Sequence, residues 1–207
     1  MKNNNMLVKK TRRFHITTNS KHQFFKSPNL VKGFTPTAPE QAWVSDITYI
    51  RLQDSHAYLA LVTDLYSKKI MGYKLDSHMK ASLVKDALAM ALKNRIYSNE
   101  NIIHHSDRGI QYCAPEFTEY AAVNGIILST TQQYDPYENA VAERINGILK
   151  YEFGLRRTLT NLGTAQKMLR EAVRTYNHER RHCSLDMQTP TFAHKNKQHK
   201  YKFYNLN

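Results

Sequence analysis

Cysteine is nearly absent. Cys113 and Cys183 stand far apart in 207 residues and in no Cys-x-x-Cys pair, which argues against a disulfide framework and fits a reducing compartment. His178 and His182 lie one helical turn apart beside Cys183 in "HERRHC". With no second ligand pair they read as a solvated helix end rather than a metal centre. No apolar run approaches membrane-spanning length. The opening "MKNNNMLVKK" carries lysines but no apolar stretch of the kind a secretory signal needs. The expected location is therefore the cytoplasm, in association with the nucleoid. There is no internal repeat. Acid is also scarce, with 17 Asp and Glu against 30 Lys and Arg, a net charge of +13 and a pI of about 9.7. An excess of this size speaks about partners, and a polyanion such as nucleic acid is the partner it suits.

What is present allows a core. Hydrophobic residues make up 41% and aromatic residues 11% of the chain, which excludes a disordered protein. The charge is concentrated at the ends. Lys2, Lys9, Lys10, Arg12, Arg13, Lys21, Lys26 and Lys32 face only Glu40 before Ala42, and the stretch from Arg180 is similarly basic. Three parts are expected: a basic arm or linker over 1–36, with room for a short helix, a core over 37–194, and a basic tail over 195–207. Basic ends around a balanced core suit a protein that grips a phosphate backbone.

Within the core, "WVSDITYIRL" (43–52), "AYLALVTDLY" (57–66) and "IMGYKLD" (70–76) are β-branched and aromatic, and short connections make them an antiparallel meander. A helix is expected over 80–98, a short buried strand at "IIHHS" (102–106), a helix over 114–125 with Pro near its start and Gly at its end, and a strand at "IILST" (126–130). Helices over 138–152 and 165–178 complete a β-β-β-α-β-α-β-α-α order. A hairpin-linked sheet followed by βαβ units predicts an α/β fold with a mixed five-stranded sheet and helices on both faces.

Three acids stand out. Asp46 interrupts the first strand on the face shared by Val44, Thr48 and Ile50, a costly place unless it is paired, sits at a site, or belongs to an edge strand open to water. Asp107 follows "IIHHS" in "HHSDRGIQY", where strand ends collect sites, although Asp also begins turns routinely and Gly109 permits a sharp one. In "ENAVAERINGILK", Val141, Ile145, Ile148 and Leu149 form the apolar stripe, while Glu143, Asn146 and Lys150 fall together on the opposite side. Glu138 and Asn139 suit the helix start. Glu143 is either a solvated acid or part of a working face of carboxylate, amide and cation. Carboxylates converging on one sheet edge suit Mg²⁺ or Mn²⁺, and in a basic protein the chemistry expected of them is two-metal phosphoryl transfer.

The motifs "WVSDITYI", "YLALVTDLYSKKIMGY", "HHSDRGIQY", "YENAVAERINGILKYE" and "YNHERRHCSLDMQTP" together resemble the catalytic core of retroviral-type integrases and insertion-sequence transposases, from about Ser27 to about His194. Asp107 and Glu143 are separated by 35 residues, the spacing of this D-D-E class. The resemblance implies a ribonuclease-H-like fold and Asp46, Asp107 and Glu143 as a catalytic and metal-binding triad, with two Mg²⁺ or Mn²⁺ ions when DNA is bound. It implies Lys150 and the Arg180–Arg181 pair as DNA contacts, to which the working face of the helix adds Asn146. It also implies cleavage at transposon ends and strand transfer by the 3′-hydroxyl, a homo-oligomer on DNA, and no covalent protein–DNA intermediate. Asp64 also falls in a recurrent motif and reads as structural, at the start of a hairpin. Members usually carry a helix-turn-helix ahead of the core, often from an upstream frame. Here only a basic arm precedes it, so such a protein is a possible partner. A ribonuclease-H-like nuclease and a catalytically silent DNA-binding remnant are the alternatives.

Overall fold

The computed structural model describes residues 23–97, 101–132 and 139–196. Five strands form one sheet in the order β3-β2-β1-β4-β5. They are β1 (Ala42–Arg51), β2 (His56–Asp64), β3 (Ile70–Asp76), β4 (Ile102–Ser106) and β5 (Ile126–Thr130). The first three pair antiparallel, and β4 and β5 join parallel to β1, the mixed sheet the sequence predicts. Strand β1 is central because its residues alternate between two buried faces.

Each face has its own core. Trp43, Ile47, Ala60, Val62 and Met71 pack under α1 (Ala81–Lys93) and α3 (Pro115–Val123). Ile50, Leu59, Leu61 and Leu75 pack under α4 (Ala140–Tyr151) and α5 (Leu162–His178). Gly72 sets how closely α1 approaches β3: a Cβ there would stand 2.1 Å from the Ala87 carbonyl oxygen and 2.6 Å from the Ala91 amide nitrogen. Only glycine lets this helix lie on this strand.

Three local expectations are corrected. Helix α1 stops at Lys93 rather than Ser98, because Arg95, Ile96 and Tyr97 turn inward to serve Glu40. The helix expected over 114–125 is preceded by a separate turn of helix, α2 (Ile110–Cys113), with Ala114 extended between them. A short C-terminal helix, α6 (Pro190–Lys195), begins at a Thr189 cap followed by proline. The part of the arm that is described contains no helix. It lies along the edge of β5, where the Ser27 carbonyl accepts from Thr130 Oγ1 at 2.6 Å and the Leu30 amide donates to Ser129 Oγ at 2.8 Å.

Candidate active site

Sheet register brings the first two acids level. Val44 pairs with His105 in the parallel β1–β4 ladder, and continuing that register two residues sets Asp46 beside Asp107. Asp107 is fixed locally, its Oδ1 accepting from the Gly109 amide at 3.0 Å. Gly109 has φ −60°, so it serves by its small size rather than by a turn that needs glycine. A Cβ there would stand 2.9 Å from Asp107 Oδ1.

Helix α4 supplies the third acid on a polar stripe. Asn139, Glu143, Asn146 and Lys150 recur at spacings of four, three and four, which keeps them on one side of a helix. Three of the four reach β1, while Glu143 is exposed to water. Asn139 Nδ2 donates to the Ser45 carbonyl at 3.0 Å, Asn146 Nδ2 donates to Asp46 Oδ2 at 2.8 Å, and Lys150 Nζ lies 4.5 Å from the centre of the Tyr49 ring. Asn139 therefore spends its side chain on β1 and makes no side-chain cap. Glu138 lies outside the described residues. Asn146 is buried, unlike the exposed residue that its position opposite the apolar stripe predicts.

The acids feel one another. Burial, then the charges of Asp107 and Glu143, push the Asp46 carboxyl up to about 7, against the opposing hydrogen bond from Asn146. Burial and Asp107 also raise Glu143. Burial lowers Lys150, with Asp46 pulling the other way. The group is thus a set of carboxylates short of positive charge. A divalent cation fits it by donor chemistry, since hard oxygen ligands suit Mg²⁺ and Mn²⁺. Asn146 Oδ1, buried beside Asp46 without a hydrogen-bond partner, adds a further acceptor. The ligand set is not drawn tight: among the described residues no three His, Cys, Asp or Glu stand together at metal-binding spacing.

The Integrase core domain family matches residues 36–136, and a second Integrase core domain profile matches 124–190. The 31 kDa protein of insertion element IS600 from Shigella sonnei is 38% identical over 184 residues, covering 88% of this chain and 67% of that protein. The IS904 transposase of Lactococcus lactis is 30% identical over 83% of this chain and 68% of its own length. This chain belongs to the insertion-sequence transposases with an integrase core. A putative IS986/IS6110 transposase of Mycobacterium tuberculosis is 41% identical, but over 58% of this chain and 45% of its own. The chain thus spans from under half to about two thirds of these relatives. The simian T-cell lymphotropic virus intasome superposes with a TM-score of 0.66 at 22% identity, over 92% of this chain and 66% of that one. The HTLV-2 integrase catalytic core, solved with magnesium, gives 0.58 at 18% identity over 76% and 97%. These two establish the ribonuclease-H-like, integrase-type fold.

The remaining positions of this transposase core lie elsewhere. Arg180 forks onto Glu152, with Nε–Oε2 and Nη2–Oε1 both at 2.7 Å, while Arg181 is exposed and donates to the Met187 carbonyl at 3.2 Å. His182 leaves the helix and packs edge-on against Tyr176, and both cysteines are free thiols. Gly147 has no neighbour within 4 Å of a would-be Cβ, so no protein contact explains it.

Asp64 is fully buried away from the triad. It accepts from the Glu40 amide, the Ser67 amide and Ser67 Oγ, each at 2.7 Å. His194 joins this second cluster, with Nδ1 at 2.9 Å from Ser67 Oγ and Nε2 at 3.1 Å from Glu40 Oε1. Sequence reasoning missed Glu40, Ser67, Arg95 and His194 because they come from four separate segments. The one signal available was Glu40, the lone acid before Ala42.

Proposed function

We propose that this chain is the catalytic core of a DNA transposase that cuts a phosphodiester bond at a transposon end with water, then uses the freed 3′-hydroxyl to attack a second phosphodiester. The observation that carries the reading is that Asp46, Asp107 and Glu143 meet from β1, the end of β4 and the polar stripe of α4, near enough for the charge of Asp107 to raise both of the others. These three would hold one or two Mg²⁺ or Mn²⁺ ions. Bound there, the ions would activate the attacking oxygen and stabilise the leaving one.

The protein's own part is positioning. Asn146 holds Asp46 by its Oδ2, beside a further hydrogen bond from the Ile47 amide. It is therefore assigned to orienting that carboxylate rather than to gripping DNA. Lys150, seated on Tyr49 within reach of the charge of Asp46, would meet a phosphate near the acids. Arg181 is the more accessible of the arginine pair for a backbone phosphate. No serine or tyrosine nucleophile enters the reaction. The partners of the reading are DNA, further copies of the chain on it, and a separate end-recognition protein.

Nicking of supercoiled plasmid in Mn²⁺ tests the assignment without knowledge of the end sequence. Asp46→Asn, Asp107→Asn and Glu143→Gln are each expected to lose metal-dependent nicking by about a thousandfold or more, since residues acting as one unit fail together. Full activity in any one of them would overturn it. Strand transfer of labelled ends, rather than hydrolysis alone, separates a transposase from a nuclease.

A further inference from the structure

On the other side of α4 from the acids lies a groove of about 460 Å³ between that helix, the β2–β3 turn and the segment 180–184. Its floor is apolar, formed by Val141, Ile145 and Ile148, and its rim carries Lys68, Arg144, Arg180 and Arg181. Among the described residues Glu152 is committed to Arg180, and the charge of Asp64 reaches Lys68, which burial brings down to about 8. Arg144 and Arg181 thus carry the surplus of positive charge on the rim. Lys68 is held in place: its carbonyl accepts from Tyr176 Oη at 2.9 Å, and its Nζ donates to the Leu65 carbonyl at 2.7 Å. His182 adds no charge near neutrality. Burial and then Arg180, with Lys68 and Arg144 also pushing the same way against Glu152, bring it down to about 4.

Apolar floor and cationic rim together ask for a ligand with a flat hydrophobic part and an anionic part. Double-stranded DNA presents phosphates but keeps its base faces stacked, whereas an unpaired nucleotide offers both. The volume suits a single nucleotide. The groove and the triad share α4 as a wall, and a helix with its side chains is about 10–12 Å across.

We propose that this groove seats one unpaired nucleotide of the DNA strand that runs on to the acidic cleft, with its phosphate on the rim cations and its base on the apolar floor. The proposal rests on the transposase reading for the identity of the strand. It assigns the pairing state of the DNA next to the reaction site, which that reading leaves open.

Fluorescence anisotropy of the whole chain with a labelled eight-nucleotide single strand, in EDTA, tests it. Arg144 and Arg181 are exposed, so Arg144→Glu and Arg181→Glu should keep the wild-type melting temperature. Each is expected to weaken single-strand binding by about tenfold while weakening blunt-duplex binding less. An abasic site scanned along the oligonucleotide should cost about tenfold at one position. Unchanged single-strand affinity in both variants would overturn the proposal. So would equal losses for single strand and duplex, or indifference to every abasic site. Altered sedimentation of Arg144→Glu with unaltered oligonucleotide affinity would assign the groove to contact between copies and would equally overturn it. Failure of the wild-type chain to nick DNA bears on the transposase reading alone, because the binding assay contains no metal.

Discussion

Two acidic clusters lie on the same sheet, and they are built to opposite ends. Asp64 pairs with Trp43 in the β1–β2 ladder, only three residues along β1 from Asp46. Around Asp64 and Glu40, every carboxylate has partners. Burial would raise Glu40, but His194, the Ile96 amide, Arg95 and the Tyr97 amide outweigh it and bring its carboxyl down. Burial would lower His194, but Asp64 and Glu40 outweigh it and raise the imidazole. Around Asp46 the balance fails: burial and two like charges outweigh the hydrogen bonds from Asn146 and the Ile47 amide. A cluster satisfied by the protein fastens α6 and the loop after α1 to the sheet. A cluster left short of partners is where we propose that the chemistry lies, with a cation to complete it.

Removing one member of the satisfied cluster should have the largest effect. Glu40→Ala leaves the half-buried Arg95 without its carboxylate and His194 with Asp64 alone, and breaking a buried pair costs about 3–5 kcal/mol. That corresponds to a fall in melting temperature of roughly 10 °C for a chain of this size. A fall under about 2 °C would erase the distinction between the clusters. Its pH signature follows from the two directions. Glu40, lowered in the fold, contributes stability above its unfolded value that is lost as pH falls through its folded one. His194, raised in the fold, contributes below its unfolded value and loses this as pH rises through its folded one. The cluster should therefore support the fold best between those two limits, as melting curves across pH would report.

Asn146→Ala sharpens the comparison from the other side. Partners that orient a metal ligand typically matter about 10–100-fold in metal affinity, and Mn²⁺ titration should find a loss in that range. The melting temperature of the metal-free protein should move by no more than about 2 °C, since a single hydrogen bond to a partly open carboxylate is involved. A large stability loss with unchanged metal affinity would make Asn146 purely structural.

Asp46 itself should act against stability when no metal is present. Between about pH 4 and pH 7 the folded chain keeps a proton on Asp46 that the unfolded chain has released, so stability falls as pH rises through that window. Asp46→Asn should then melt higher than wild type at pH 8 in EDTA, by roughly 3–8 °C, and match it near pH 4. No gain at pH 8 would mean that the carboxylate is satisfied after all. The smallest effect is expected at Lys150. Lys150→Ala should weaken duplex binding modestly and reduce the salt slope by about one, and an unchanged slope would remove the phosphate contact.

The parts of this molecule legible in its sequence are those where periodicity and burial agree. Strands β3, β4 and β5 fall on their expected residues because short apolar runs end at Asp, Ser and Thr with turns beside them. Helix α6 escaped because six residues carry no usable period, although Thr189–Pro190 was a start signal. Asn146 shows the limit most clearly. A helical wheel separates it from the apolar stripe, but no wheel can say that β1 lies on that side, so a buried positioning residue reads as an exposed one. Likewise Asp46 and Asp64, two strand aspartates in apolar company, differ only in what distant segments bring to them. Their separation into a site and a clasp became visible once Glu40, His194 and Asn146 were in place.

Calorimetric titration of Mn²⁺ into the metal-free chain at pH 6.5, in buffers of different ionisation enthalpy, tests the central claim most directly. The account predicts binding that releases close to one proton, because Asp46 is largely protonated there until the ion arrives, and loss of both the binding and the proton in Asp46→Asn. Absence of binding to the wild-type chain, or binding that survives intact in Asp46→Asn, would contradict it.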